Sequence, residues 1–175
     1  MRTPVLSKVA GAFCAAIALG GTLASCGSSG ESVKTSSILT SDAAARTVGL
    51  LLVSGSTGAD GGFNFDGYGN GAMRVSVPLG WRVDVTCKNA SAILSHSCAI
   101  VDDRPLSPFR TPTAFPGAST PEPEGGLEPG ASASFTFLAA RVGTFRIACL
   151  VSGHEIDGMW DWLVVTPAGL PKLTT

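Results

Sequence analysis

Cys149-Leu150-Val151-Ser152-Gly153-His154-Glu155-Ile156-Asp157-Gly158-Met159 lies between two strand-like runs, Thr144–Cys149 and Trp162–Val165. Gly153 and Gly158 let so short a connection curl, so that a thiol, an imidazole and a thioether converge on one point. The chain has two histidines, and the other, His96, sits more than fifty residues upstream in Leu94-Ser95-His96-Ser97-Cys98. One thiolate, two imidazoles and a weak thioether make a soft donor set: sulfur favours Cu(I), and imidazole suits both oxidation states. The expectation is a centre for one copper ion, cycling between Cu(II) and Cu(I), with His96, Cys149, His154 and Met159 as its ligands. The plainer account is a loop histidine, a core methionine and a cysteine acting as a small buried hydrophobe.

The segments around this loop read as strands. Thr47–Ser54 is a compact apolar run, Met73–Val77 alternates before Pro78-Leu79-Gly80, and Arg82–Lys88 puts Val83, Val85 and Cys87 on one face. Ser97–Val101 turns Cys98 and Ile100 the same way, and Ala133–Leu138 offers Phe135 and Phe137 to a core. Charged residues are 14% of the chain, and Gly and Pro supply 22 and 11 residues, so short apolar runs are punctuated by turn formers. That profile is all-β, with one domain over residues 46–175. Residues 103–130 are dominated by Pro, Gly, Ser and Thr without periodicity and read as an excursion outside the core.

The N-terminus suggests the compartment. Arg2 and Lys8 precede an apolar run from Val9 to Leu23, followed by Leu23-Ala24-Ser25-Cys26. This resembles a bacterial lipoprotein signal over residues 1–25, with cleavage before Cys26 and a lipid on that thiol. An ordinary signal peptide or an uncleaved anchor is the alternative, and each of these exports the rest. Residues 26–45, rich in Ser, Gly and Thr, read as a flexible tether from the extracytoplasmic face of the cell membrane. In an oxidising exterior Cys87 and Cys98 either form a disulfide or stand as two free core thiols. From residue 26 onward the formal charge is −3 with no basic cluster, which argues against a nucleic-acid partner.

From Thr47 to Val165 the chain resembles the cupredoxins, and within them the sulfocyanins and rusticyanins. The ligand loop has four residues between Cys and His and four between His and Met. Upstream, Gly62-Phe63-Asn64-Phe65-Asp66-Gly67-Tyr68, then Gly71 and Val77-Pro78-Leu79-Gly80-Trp81, resembles the sulfocyanin signature, with Asp66 where that pattern has Asn. The resemblance implies a Greek-key β-sandwich in which His96, Cys149 and His154 are the strong copper ligands and Met159 the long axial one. It also implies that Ser97 stiffens the site by hydrogen bonding, and that a redox protein such as a respiratory complex or oxidase docks near His154. Asn64 belongs to the signature and reads as a turn residue.

The functional expectation is a monomeric electron carrier rather than an enzyme, because no further histidine is present for a catalytic copper. A binuclear centre would need a second Cys where Val151 and Gly153 stand. The thioether and an apolar surround from Leu150, Val151, Ile156 and Trp160 predict a high potential. A lipid-anchored copper chaperone is the rival reading.

Overall fold

The computed structural model describes residues 38–56, 59–107 and 111–175. Nine strands occur there: β1 (Leu39–Asp42), β2 (Thr47–Ser54), β3 (Arg74–Pro78), β4 (Arg82–Asn89), β5 (Ala99–Asp102), β6 (Ser132–Leu138), β7 (Gly143–Ala148), β8 (Trp160–Thr166) and β9 (Lys172–Thr174). They form two mixed sheets, β1-β2-β4-β6 and β5-β7-β8-β3-β9. The pairs β2/β4 and β3/β8 are parallel, and the rest are antiparallel.

Side-chain alternation explains how the sheets face each other. Val48, Leu50 and Leu52 of β2, Val83, Val85 and Cys87 of β4, and Phe135 and Phe137 of β6 all point inward and are buried. Opposite them lie Val75 and Val77 of β3, Phe145 and Ile147 of β7, and Leu163 and Val165 of β8. Two inner faces of this kind pack as a sandwich with its core between the sheets. The all-β expectation therefore holds. Cys87 on β4 and Cys98, just before β5, are joined by a disulfide across the sandwich, with Cα atoms 6.0 Å apart. That bond closes the stretch of chain that carries His96.

Two expected boundaries are corrected. The tether foreseen over 26–45 gives way to strand at Leu39, because Leu39 is buried in the core and Leu39–Asp42 pairs with Thr47–Leu50. A four-residue edge strand is too short for periodicity to reveal. Residues 26–37, Cys26 and the leader 1–25 fall outside the described residues. The second correction concerns 103–130, of which residues 111–130 are not outside the core. Phe115 is buried, stacked on Phe137 with ring centroids 5.2 Å apart and tilted against Phe145 at 4.8 Å. Isolated bridges Val101↔Thr113, Ala99↔Ser119 and His96↔Leu127 stitch the same segment to β5 and to the His96 loop. One aromatic anchor and scattered main-chain pairs hold a segment without leaving a periodic signature.

Candidate metal centre

The ligand loop is shaped by its own main chain. His154 N–H donates to Val151 C=O at 3.1 Å and Asp157 N–H to Gly153 C=O at 3.0 Å. Met159 N–H then returns to His154 C=O at 2.9 Å, and Cys149 N–H bonds Met159 C=O at 3.2 Å. Cys149 and Met159 are thereby neighbours, although ten residues apart, and both side chains are fully buried.

Gly158 shows how the upstream signature enters the site. It has φ 99°, and a Cβ there would lie 2.5 Å from the Asn70 side-chain amide. This close approach lets Asn70 N–H bond Gly158 C=O at 2.8 Å and Gly71 N–H bond Trp160 C=O at 2.9 Å. Residues 69–73 thus brace the far end of the loop, and the buried Asp161 carboxylate adds a bond from Met73 N–H at 2.8 Å. Asn64 is more than a turn residue: it is wholly buried, donates to Ala59 C=O at 2.9 Å and accepts Gly67 N–H at 3.0 Å, tying the signature loop together.

His96 reaches the same point from the connection between β4 and β5. Its main chain exchanges two hydrogen bonds with Leu127, at 3.1 and 2.7 Å. Buried Asn89 binds Leu127 C=O and Leu94 C=O through its amide nitrogen, each at 2.8 Å, which fixes the turn that bears the histidine. The ring rests against Gly55, where a Cβ would come within 3.1 Å of Nε2.

Among the described residues, one group of three or more metal-binding side chains converges: His96, Cys149 and His154, with ligand atoms within 4.8 Å of one another. Cys149 Sγ lies 3.4 Å from His154 Nδ1, and the two imidazole rings are 5.0 Å apart edge to face. Ser97 N–H donates to Cys149 Sγ at 3.2 Å. Its hydroxyl lies 3.6 Å from the same sulfur and accepts Leu150 N–H at 2.8 Å.

Electrostatics prepare the donors. Burial holds the His96 imidazole down at about 4, with His154 adding to the effect, and burial also lowers His154 against an opposing pull from Asp157. Both rings are therefore neutral at neutral pH, with lone pairs free for a metal. Burial pushes the Cys149 thiol up, opposed by hydrogen bonds from Ser97 and Val151, so its proton leaves when a cation takes its place.

Whether the pocket suits copper is tested by His96. The residue is wholly buried, yet neither ring nitrogen has a hydrogen-bond partner. A buried imidazole without partners costs roughly 1–3 kcal/mol per group left unsatisfied, and a metal bond at the facing nitrogen removes part of that cost. Two imidazoles and one thiolate, with Met159 joined to Cys149 and His154 through its main chain, fit one copper ion.

The expected apolar surround is corrected. Ile156 is 49% exposed, while Leu150 and Trp160 belong to a separate cluster with Ala99, Val101 and Ala148. Val151 does pack against the main core, and Phe63 meets the His154 ring edge to face at 4.9 Å. Phe63, Gly55 and Asn89 were missed as parts of the site. Phe63 stood inside the quoted signature, whereas nothing in local sequence marks the other two.

Comparison with known proteins supports the same architecture. The sulfocyanin (SoxE) domain profile matches residues 34–170. Sulfocyanin of Sulfolobus acidocaldarius is 29% identical over 129 residues, covering 69% of this chain. The match spans 64% of that relative's own length. A rusticyanin variant superposes with TM-score 0.56 at 23% identity, covering 76% of this chain and 86% of that one. Dithionite-reduced auracyanin of Roseiflexus castenholzii gives 0.51 at 23% identity, covering 68% and 97%. At such identities the likeness to the solved structures speaks for the fold. A profile spanning most of the chain, on a sandwich shared with rusticyanin and auracyanin, places this chain in the sulfocyanin family of cupredoxins.

Proposed function

We propose that the chain is a blue copper electron carrier, with His96, Cys149 and His154 as strong ligands and Met159 as the axial one. The observation that carries this reading is the buried His96 ring, without partners of its own, facing the free thiol of Cys149 and the ring of His154. Copper held there supplies a one-electron couple at a thiolate-bound centre.

The protein's own part is to keep the donors still. Two β-sheets, a disulfide beside the His96 turn and a self-bonded loop leave the ligands little room to rearrange. Ser97 keeps a hydrogen bond on the sulfur, and donors to that atom together with a thioether raise the potential. Potentiometry returning a midpoint typical of a hard axial oxygen would reject that part. His154 is the partly exposed member of the set and is the place for a redox protein to dock through a small, weakly held interface. A chaperone would present its ligands to a recipient, whereas Cys149 and His96 are wholly buried.

The lipid on Cys26 and the extracytoplasmic location at the cell membrane remain part of the proposal, supported by the N-terminal pattern, and so does the monomeric state. The decisive experiment adds Cu(II) to the purified chain and to Cys149→Ser. Intense visible absorption in the parent and none in the variant is expected. Equal spectra, or a colourless parent, would refute the assignment.

A further inference from the structure

The residue next to His154 is a carboxylate in an unusual setting. Glu155 has 3% of its side chain exposed, while its neighbours Ile156 and Asp157 face solvent. One oxygen accepts from Arg146 Nη1 at 3.3 Å, and the other accepts from Arg104 Nη2 at 3.0 Å. Arg146 belongs to β7, is almost fully buried, and reaches Asp103 with its second nitrogen at 2.8 Å. Its guanidinium lies over the Trp160 ring, 4.9 Å from the centroid. Arg104 also donates to Thr111 Oγ1 at 2.6 Å and Pro105 C=O at 2.8 Å.

Three separate pieces of chain therefore meet at one carboxylate: the sheet through Arg146, the stretch 103–105 through Arg104, and the ligand loop through Glu155 itself. The two cations face two anions, Glu155 and Asp103, so the cluster is balanced in charge. Ion pairs taken out of water gain little stability over well-packed apolar side chains, because desolvation offsets the attraction. What such a cluster does supply is a fixed geometry, since each member is strongly disfavoured in any arrangement that leaves it unpaired.

We propose that Glu155 is a positioning residue for the copper centre. Clamped between Arg146 and Arg104, it locks the His154 half of the ligand loop against β7 and the stretch 103–105. The His154 ring, 3.4 Å from the Cys149 sulfur, is thereby held in one orientation in both oxidation states. The inference rests on the copper reading of the same site for its consequence, but the lock belongs to the protein alone.

The test uses the full chain with Glu155→Gln, which keeps the shape and removes the charge, and Arg104→Ala, which removes one partner. In the copper-free protein, amide hydrogen exchange over residues 150–158 should accelerate about tenfold or more in E155Q and less in R104A, with β2 and β4 amides unchanged. After copper loading, transfer of the ion to a strong chelator should be about tenfold faster in E155Q, the low end of what residues supporting a ligand contribute. The Cu(II) spectrum should broaden as His154 samples more orientations. If E155Q fails to fold by circular dichroism, R104A decides the matter. Loop exchange and copper release at parental rates in a folded variant would overturn the proposal. A parent that takes up no copper, with loop exchange still accelerated in the variants, would sink the copper reading and leave the lock standing.

Discussion

Replacing Ser97 by Ala separates the two things its hydroxyl touches. The hydroxyl accepts Leu150 N–H at 2.8 Å and lies 3.6 Å from Cys149 Sγ. Removing it leaves a buried main-chain N–H without an acceptor, which costs about 1–3 kcal/mol. The sulfur loses the longer of its two contacts with Ser97 and keeps the main-chain N–H at 3.2 Å, which no side-chain change removes. A hydroxyl 3.6 Å from sulfur is a weak donor, worth well under 1 kcal/mol (~0.5) beside an ordinary hydrogen bond. Stability should therefore suffer more than the potential. Thermal unfolding of the copper-free protein should show a melting temperature lower by about 2–4 °C for each kcal/mol lost in a domain of this size. The midpoint of the loaded protein should fall, since a donor to the thiolate is lost, but by less than about 60 mV, one tenfold step of a one-electron couple. A larger drop with an unchanged melting temperature would refute the assignment and make the hydroxyl chiefly a partner of the sulfur.

Other perturbations address the frame. Replacing Cys87 and Cys98 together by Ala opens a stretch of 11 residues and should destabilise the domain by about 3 kcal/mol through loop-closure entropy, read from chemical denaturation; an unchanged midpoint would count against the bond. Gly55→Ala adds a Cβ about 3 Å from the His96 ring at φ 63°, so it should weaken copper binding and alter the visible spectrum, and a parental spectrum would mean that the ring yields freely. Asp66 is raised by burial to about 6, opposed by the Val53 N–H bond, so the folded state takes up its proton more readily than the unfolded chain. Its contribution to stability is present near pH 4 and lost as pH rises toward 6. Asp66→Asn should therefore be more stable than the parent at neutral pH, with the gap closing toward pH 4; a pH-independent difference in denaturation midpoints would contradict this.

Much of the site was legible because the metal's chemistry restricts residue type. In a chain with two histidines, a loop carrying Cys, His and Met leaves few other donors for soft-metal chemistry, and the structure brings His96, Cys149 and His154 together. Strands such as β2 and β4 were readable because burial on one face imposes a period of two. By contrast, β1, β9 and the anchoring of Phe115 depend on partners elsewhere in the chain and leave almost no local pattern. The apolar surround was misjudged for a related reason: Leu150 and Trp160, which follow Cys149 and Met159 in sequence, pack in a separate cluster with Ala99, Val101 and Ala148.

Residue types and their alternation, read by themselves, determined an all-strand domain with a soft donor set on one short loop, because both depend on chemistry carried within a few neighbouring side chains. Tertiary structure alone decided that His96 lies bare against Gly55, that Asn89 and Leu127 fix its turn, and that Glu155 is clamped by Arg146 and Arg104. These contacts join residues from distant parts of the chain, and only the packing of two sheets with Arg104 and Leu127 from the connection between β5 and β6 brings them within reach.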